Sequence, residues 1–106
     1  MTAKQLVDIL KTVKDVPIYT ARAPLGAKLP YMVLTFGGTN NFIADDKVSE
    51  VVQDQTLELY TVDKDLTTEG KVETVLNNND IPWQSDETSD DGEQFYLKYY
   101  YFIRRS

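Results

Sequence analysis

Six of the ten residues from Phe95 to Arg104 are aromatic, in the run FYLKYYYFIR. Aromatic residues favour β-strands, and successive side chains of a strand point to opposite faces of a sheet. The chain therefore needs a sheet that can accept an aromatic strand on both of its faces. We expect one alternate set of side chains to point into the core: Phe95, Leu97, Tyr99, Tyr101 and Ile103.

The other face of this strand carries Tyr96, Tyr100 and Phe102, with Lys98 and Arg104 beside them. Either a helix covers this face, or the face contacts another protein. Tyrosine suits protein interfaces because it offers a large contact area and a hydroxyl group at low entropic cost. We therefore treat Tyr96, Tyr100 and Phe102 as candidate interface residues. Base stacking is a third interpretation, which the acidic character of the chain disfavours.

Two stretches have the apolar spacing of helices. Leu6, Ile9, Leu10 and Val13 predict an amphipathic helix over residues 3–14, with Thr2 as its N-cap. A second helix is predicted over residues 65–78, capped by Asp65 or Asp63, with an apolar stripe formed by Leu66, Val72, Val75 and Leu76.

Three further segments have strand character: a short piece around Ile18 and Tyr19, residues 31–36, and residues 53–63. In the last of these, alternation puts Leu57, Leu59 and Thr61 on one face. Pro82 and Trp83 are interpreted as an extended connector. Residues 85–93 are acidic and are interpreted as a turn-rich segment around Asp90-Asp91-Gly92.

The chain of 106 residues is predicted to be a single α+β domain over residues 1–106. Its sheet is expected to be largely antiparallel or mixed, with about four strands and two helices packed on one face. Residues 37–52 form an irregular loop or arm in this prediction. This arm supplies further candidate interface residues: Asn40, Asn41, Phe42, Ile43, Asp45 and Asp46.

The amino-acid composition of the chain argues against several classes of function. The chain has no cysteine and no histidine, which removes thiol nucleophiles, imidazole bases and the commonest metal ligands. We therefore expect no enzyme, no cofactor and no metal site. The paired aspartates Asp45-Asp46, Asp63/Asp65 and Asp90-Asp91 are interpreted as solvated turns, with a Mg²⁺ or Ca²⁺ site as the alternative. A net charge of −6 argues against nucleic-acid binding and against an anionic membrane surface as partner. No apolar run approaches the roughly 20 residues of a membrane span.

Four short runs occur in a familiar order: LPYMVL at 29–34, NNFIAD at 40–45, LELYTVDKD at 57–65 and KVETVL at 71–76. Together they resemble the small tail-completion proteins, called tail terminator or head–tail joining proteins, of long-tailed bacteriophages and prophages of Gram-positive bacteria. The resemblance covers nearly the whole chain.

This resemblance implies a structural α+β subunit, without catalysis or cofactor, that forms a ring, commonly a hexamer. The ring would cap the tail tube and join it to the head connector, first in the host cytoplasm and then in the virion. The resemblance is compatible with two roles, that of a tail terminator and that of a head-side joining protein. The alternative from another class is an acidic DNA mimic that inhibits a host nuclease.

Overall fold

A computed structural model describes residues 3–36, 55–90 and 95–102. Two helices and five strands occur in this part of the chain. In chain order they are α1 (Ala3–Leu10), β1 (Ile18–Thr20), β2 (Tyr31–Phe36), β3 (Gln55–Thr61), α2 (Leu66–Asn78), β4 (Trp83–Asp90) and β5 (Phe95–Phe102). The predicted α+β class is confirmed. The predicted arm over 37–52, the Thr2 cap and the Asp91-Gly92 part of the acidic turn lie outside the described residues.

The strands form one mixed sheet in the order β1-β2-β3-β5-β4. Strand β1 runs parallel to β2, and the three other strand pairs are antiparallel. The sheet has five strands rather than about four because residues 83–90 form β4 and are not a connector followed by a turn. The sequence WQSDETSD does not predict this strand, because an edge strand that is exposed to water needs no alternating apolar residues.

Both helices pack on one face of the sheet, as predicted. Leu6 and Leu10 of α1 and Val72 and Leu76 of α2 are fully buried in one cluster. The sheet contributes to the same cluster through Met32, Leu34, Leu57, Leu59, Tyr100 and Phe102. Helix α1 ends at Leu10, four residues before the predicted end, but Val13 in the following turn still reaches the core.

For β5, the alternative that helices cover the face of Tyr100 and Phe102 is confirmed, and the expectation that Tyr99 and Tyr101 point into the core is wrong. Tyr100 and Phe102 are 0% and 6% exposed and belong to the core, whereas Tyr101 is 42% exposed on the opposite face. Both faces of the strand are aromatic, so aromatic content cannot distinguish them. A lysine on a strand usually indicates a solvent-exposed face, and Lys98 shares its face with Tyr100 and Phe102. Its side chain is nevertheless buried beneath α2, because acidic residues of that helix neutralise its charge.

An ion cluster fixes α2 on β5 and β4. The ammonium group of Lys98 lies 3.0 Å from carboxylate oxygens of both Glu69 and Glu73. The hydroxyl of Tyr100 donates to Glu73 at 2.8 Å. Lys64 joins Glu69 to Glu87 of β4 at 3.0 and 2.9 Å. These charge-assisted contacts set the position of the helix along the sheet.

The N-terminus of α2 is capped by Asp65, one of the two predicted cap residues. Its carboxylate accepts a hydrogen bond from the backbone N–H of Thr68 at 3.0 Å and from the Thr68 hydroxyl at 2.6 Å. These bonds stabilise the charged form of the carboxylate. The hydrogen bond from the Thr68 side chain, followed by the one from its backbone, lowers the pKa of Asp65 below its ordinary value.

Asp65→Ala is expected to reduce the free energy of unfolding by about 1 kcal/mol at pH 7, because the first turn of α2 loses its cap. The lowered pKa means that the charged cap stabilises the fold above the unfolded-state pKa of about 3.9. This contribution is lost as the pH falls through the pKa of the folded state. Urea titrations from pH 7 to pH 2.5 should therefore show the difference between variant and parent shrinking. Asp63→Ala is the matched control and should lie close to the parent throughout.

Candidate interaction surface

The sheet face opposite the helices carries two neighbouring groups of aromatic side chains. We call this surface the tyrosine face; its members are Tyr19, Tyr31, Tyr60, Phe95, Tyr99 and Tyr101. Alternation places them there because their neighbours along the strands, such as Met32, Leu59 and Tyr100, point into the helix-covered core. Tyr101 is 42% exposed, and the other five are half-buried.

The rings contact one another across the strands. Tyr31 and Tyr60, which are direct register partners, stack with centroids 4.9 Å apart. Edge-to-face contacts extend this pair to Tyr19 at 5.9 Å and to Phe95 at 5.4 Å. Tyr99 and Tyr101 stack at 6.1 Å. Such pairs hold the rings in place, so the face presents an ordered aromatic surface.

Two carboxylates lie in the same face. Glu58 of β3 and Asp86 of β4 are the register partners of Tyr99 on its two sides. Glu58 accepts a hydrogen bond from the Tyr60 hydroxyl at 2.7 Å. Burial, and then the negative charges of Glu58 and Asp86, raise the pKa of Tyr99 above its ordinary value. The face is thus both aromatic and negatively charged.

A groove of about 360 Å³ separates one end of this face from the loop over residues 21–27. Tyr31, Val33, Glu58 and Tyr60 form its floor. Val33 is only 3% exposed, although it points away from the helices, because the loop lies beside it. Gly26 lets the loop turn with a φ of +83°, a conformation that glycine adopts without strain.

A second hollow, of about 480 Å³, lies at the end of β3 and is lined by residues 61–67 and Pro30. Two of its three charged side chains already have partners within the chain, since Lys64 binds Glu69 and Glu87 and Asp65 caps α2. Val62 and Leu66 are exposed at its rim. This hollow therefore offers little polar recognition.

The predicted interface residues have different positions in the structure. Tyr100 and Phe102 lie in the core and cannot contact a partner. Tyr96 lies half-buried on the helix side, where its hydroxyl donates to Glu87 and Lys64 lies 5.2 Å from its ring centroid. The remaining predicted residues, 40–43, 45 and 46, lie outside the described residues.

Sequence reasoning missed the tyrosine face itself. Tyr60 is the penultimate residue of β3, where the alternation of Leu57 and Leu59 already places it on the outer face, and Tyr31 of β2 is its register partner. For Tyr99 and Tyr101 no such signal exists, because the residues between them are equally aromatic.

Three phenol groups of this face, those of Tyr31, Tyr60 and Tyr99, have pKa values above the ordinary value. Burial, and then the hydrogen bond to Glu58, raise the pKa of Tyr60, and burial also raises the pKa of Tyr31. Both phenols are therefore protonated at neutral pH and act as hydrogen-bonding aromatic surfaces. Among the residues that the structure describes, no cluster of three or more acidic side chains could hold a metal ion.

Comparison with known proteins returns no match: no family model, curated protein or solved structure matches this chain. Within the described ranges, none of the helices is long and apolar enough to cross a membrane.

Proposed function

We propose that this chain is a structural subunit of a bacteriophage tail: a ring-forming tail-completion protein that caps the tail tube and joins it to the head connector. The observation that carries the proposal is the tyrosine face, an ordered aromatic surface on the side of the sheet that neither described helix covers. An ordered aromatic surface of this kind supports a contact with another protein, because tyrosine is enriched at protein interfaces.

The size of the face is informative. Strands lie about 4.8 Å apart, and every second residue, about 6.6 Å along a strand, points to one face, so six side chains cover roughly 200 Å² of the sheet. This is about a quarter of the roughly 800 Å² that each partner contributes to a standard interface. The face alone therefore supports a weak contact, and a ring gains stability because each subunit makes two contacts. We expect a monomer in dilute solution that assembles as its concentration rises.

The motif behind the phage resemblance lies at this surface and at the start of α2. In the run LELYTVDKD, Glu58 and Tyr60 belong to the tyrosine face, Lys64 to the ion cluster and Asp65 to the cap of α2. The net charge of −6, repeated round a ring, would give an acidic channel that repels DNA and lets it pass without sticking. The proposed location is the host cytoplasm during assembly and then the head–tail junction.

Nuclease inhibition by DNA mimicry is the weaker alternative. A DNA mimic needs carboxylates that are free to occupy the positions of phosphates. In the described part of the chain, Glu69 and Glu73 bind Lys98, and Glu87 binds Lys64. These carboxylates stabilise the fold and are not available to a nuclease.

Tyr99→Ser combined with Tyr101→Ser should weaken self-association at least about tenfold, because the most exposed part of the tyrosine face loses its aromatic contact area. Sedimentation velocity over a concentration series from micromolar to millimolar measures this shift, and negative-stain images show whether the assembled species are rings. Val62→Ser, which removes an exposed apolar side chain outside this face, is the control and should assemble as the parent does.

Assembly that persists unchanged in the double variant would show that the tyrosine face is not the contact surface. A parent chain that stays monomeric over the whole range, with or without tail tubes added, would argue against the ring proposal. Binding of the parent to purified tail tubes, seen at one end of each tube, is the result expected of a tail-completion protein.

A further inference from the structure

We infer that the tyrosine face binds the lysine-bearing surface of α1 on a second copy of this chain, in a head-to-tail contact. The inference rests on the proposed function, which it deepens by naming the two surfaces that meet. Its basis is charge: the tyrosine face is acidic, whereas lysines predominate on the exposed side of α1 and the turn that follows it.

The acidic side consists of Glu58 and Asp86, which flank Tyr99 in one cross-strand row. Neither carboxylate forms an ion pair within the described part of the chain, although Glu69, Glu73 and Glu87 all do. An aromatic ring between two carboxylates is a favourable binding site for an ammonium group, because the group can form ion pairs with the carboxylates and a cation–π contact with the ring.

The basic side consists of Lys4, Lys11 and Lys14, all exposed on α1 and the turn after it. Lys11 directly follows α1, and its backbone N–H still donates to the carbonyl of Val7 at 2.9 Å, so Lys4 and Lys11, seven residues apart, lie on the same side. None of the three forms an ion pair with a residue that the structure describes. Asp8 and Asp15 lie among them, so the surface keeps a small net positive charge.

The two surfaces lie on opposite layers of the fold, because α1 packs on the core face of the sheet and the tyrosine face is its reverse. A copy that offers one surface still has the other free, which is the requirement for a heterologous contact that can close into a ring. Glu58 lies among the aromatic rings and Asp86 lies beside them, so these charges should select the partner surface and make assembly sensitive to salt.

Charge reversal tests this pairing directly. One variant carries Glu58→Lys and Asp86→Lys, and a second variant carries Lys4→Glu and Lys11→Glu. Each variant alone places like charges at every contact and should stay monomeric at concentrations where the parent assembles. In an equimolar mixture the two variants can alternate. The reversed tyrosine face of the first variant then meets the reversed α1 of the second, and the two unchanged surfaces meet each other, so every contact again joins opposite charges. The mixture should therefore assemble, with an apparent dissociation constant within about tenfold of the parent's.

Far-UV circular dichroism verifies that each variant is folded, and Asp63→Lys, an acidic residue outside both surfaces, is the matched reversal that should leave assembly unchanged. If the variants assemble alone as the parent does, or if the folded variants fail to assemble when mixed, the pairing is wrong while the ring proposal stands. If the parent itself never assembles, both the ring proposal and this inference fail.

Discussion

Lys98→Ala is expected to lower the free energy of unfolding by about 3 kcal/mol. Among the described residues, the substitution leaves Glu73 of α2 without a cation and Glu69 with Lys64 alone, and removing one partner of a buried ion pair is strongly destabilising. Burial by itself would lower the pKa of Lys98, but hydrogen bonds to Glu73 and Glu69 outweigh burial and raise it. The ammonium group is therefore held charged within the fold. Urea unfolding at pH 7 measures the loss.

Two control variants separate charge from packing. Lys98→Met keeps most of the side-chain volume but should be nearly as destabilising as alanine, whereas Lys98→Met with Glu69→Gln and Glu73→Gln should recover most of the loss. Lys64→Ala removes a more exposed member of the same cluster, with a side chain 39% exposed, and should cost at most about 1 kcal/mol. A Lys98→Met variant as stable as the parent would show that the buried ion cluster does not fix α2.

Tyr100→Ala is expected to cost about 4 kcal/mol, because it removes a fully buried ring from the centre of the core. The ring contacts Trp83 edge-to-face at 5.2 Å, and its hydroxyl binds Glu73 at 2.8 Å. The adjacent residue provides the matched control: Tyr101→Ala removes an identical side chain from the open face and should cost less than about 1 kcal/mol.

Equal losses for these two variants would contradict the face assignment of β5. Tyr100→Phe separates the hydroxyl from the ring. It removes one hydrogen bond to a carboxylate that Lys98 still neutralises, so we expect a loss of about 1 kcal/mol. Urea unfolding of the four proteins under identical conditions gives the comparison.

Local signals predicted most of the fold because they reflect contacts between near neighbours. The spacing of Leu6 and Leu10, the alternation of Leu57 and Leu59, and the cap at Asp65 each depend on a few adjacent residues, and the structure contains all three. The α+β class follows from the order of such elements.

The predictions fail where the structure of a segment depends on residues that are distant in the chain. Strand β4 exists because β5 provides hydrogen-bonding partners along its whole length, and a polar edge strand has little pattern of its own. Lys98 is buried because Glu69 and Glu73 come from a helix that lies some 25 residues earlier in the chain. The tyrosine face was missed for the same reason, since the partners of Tyr99 could not be known before the strand order was.

We propose the tyrosine face as the assembly interface, and hydroxyl-radical footprinting at rising protein concentration measures whether assembly buries it. Oxidation of Tyr99 and Tyr101 should fall several-fold as rings form, while Leu66, which is 72% exposed at the start of α2, should stay equally reactive. Oxidation of both tyrosines that does not change between monomer and ring would contradict the claim.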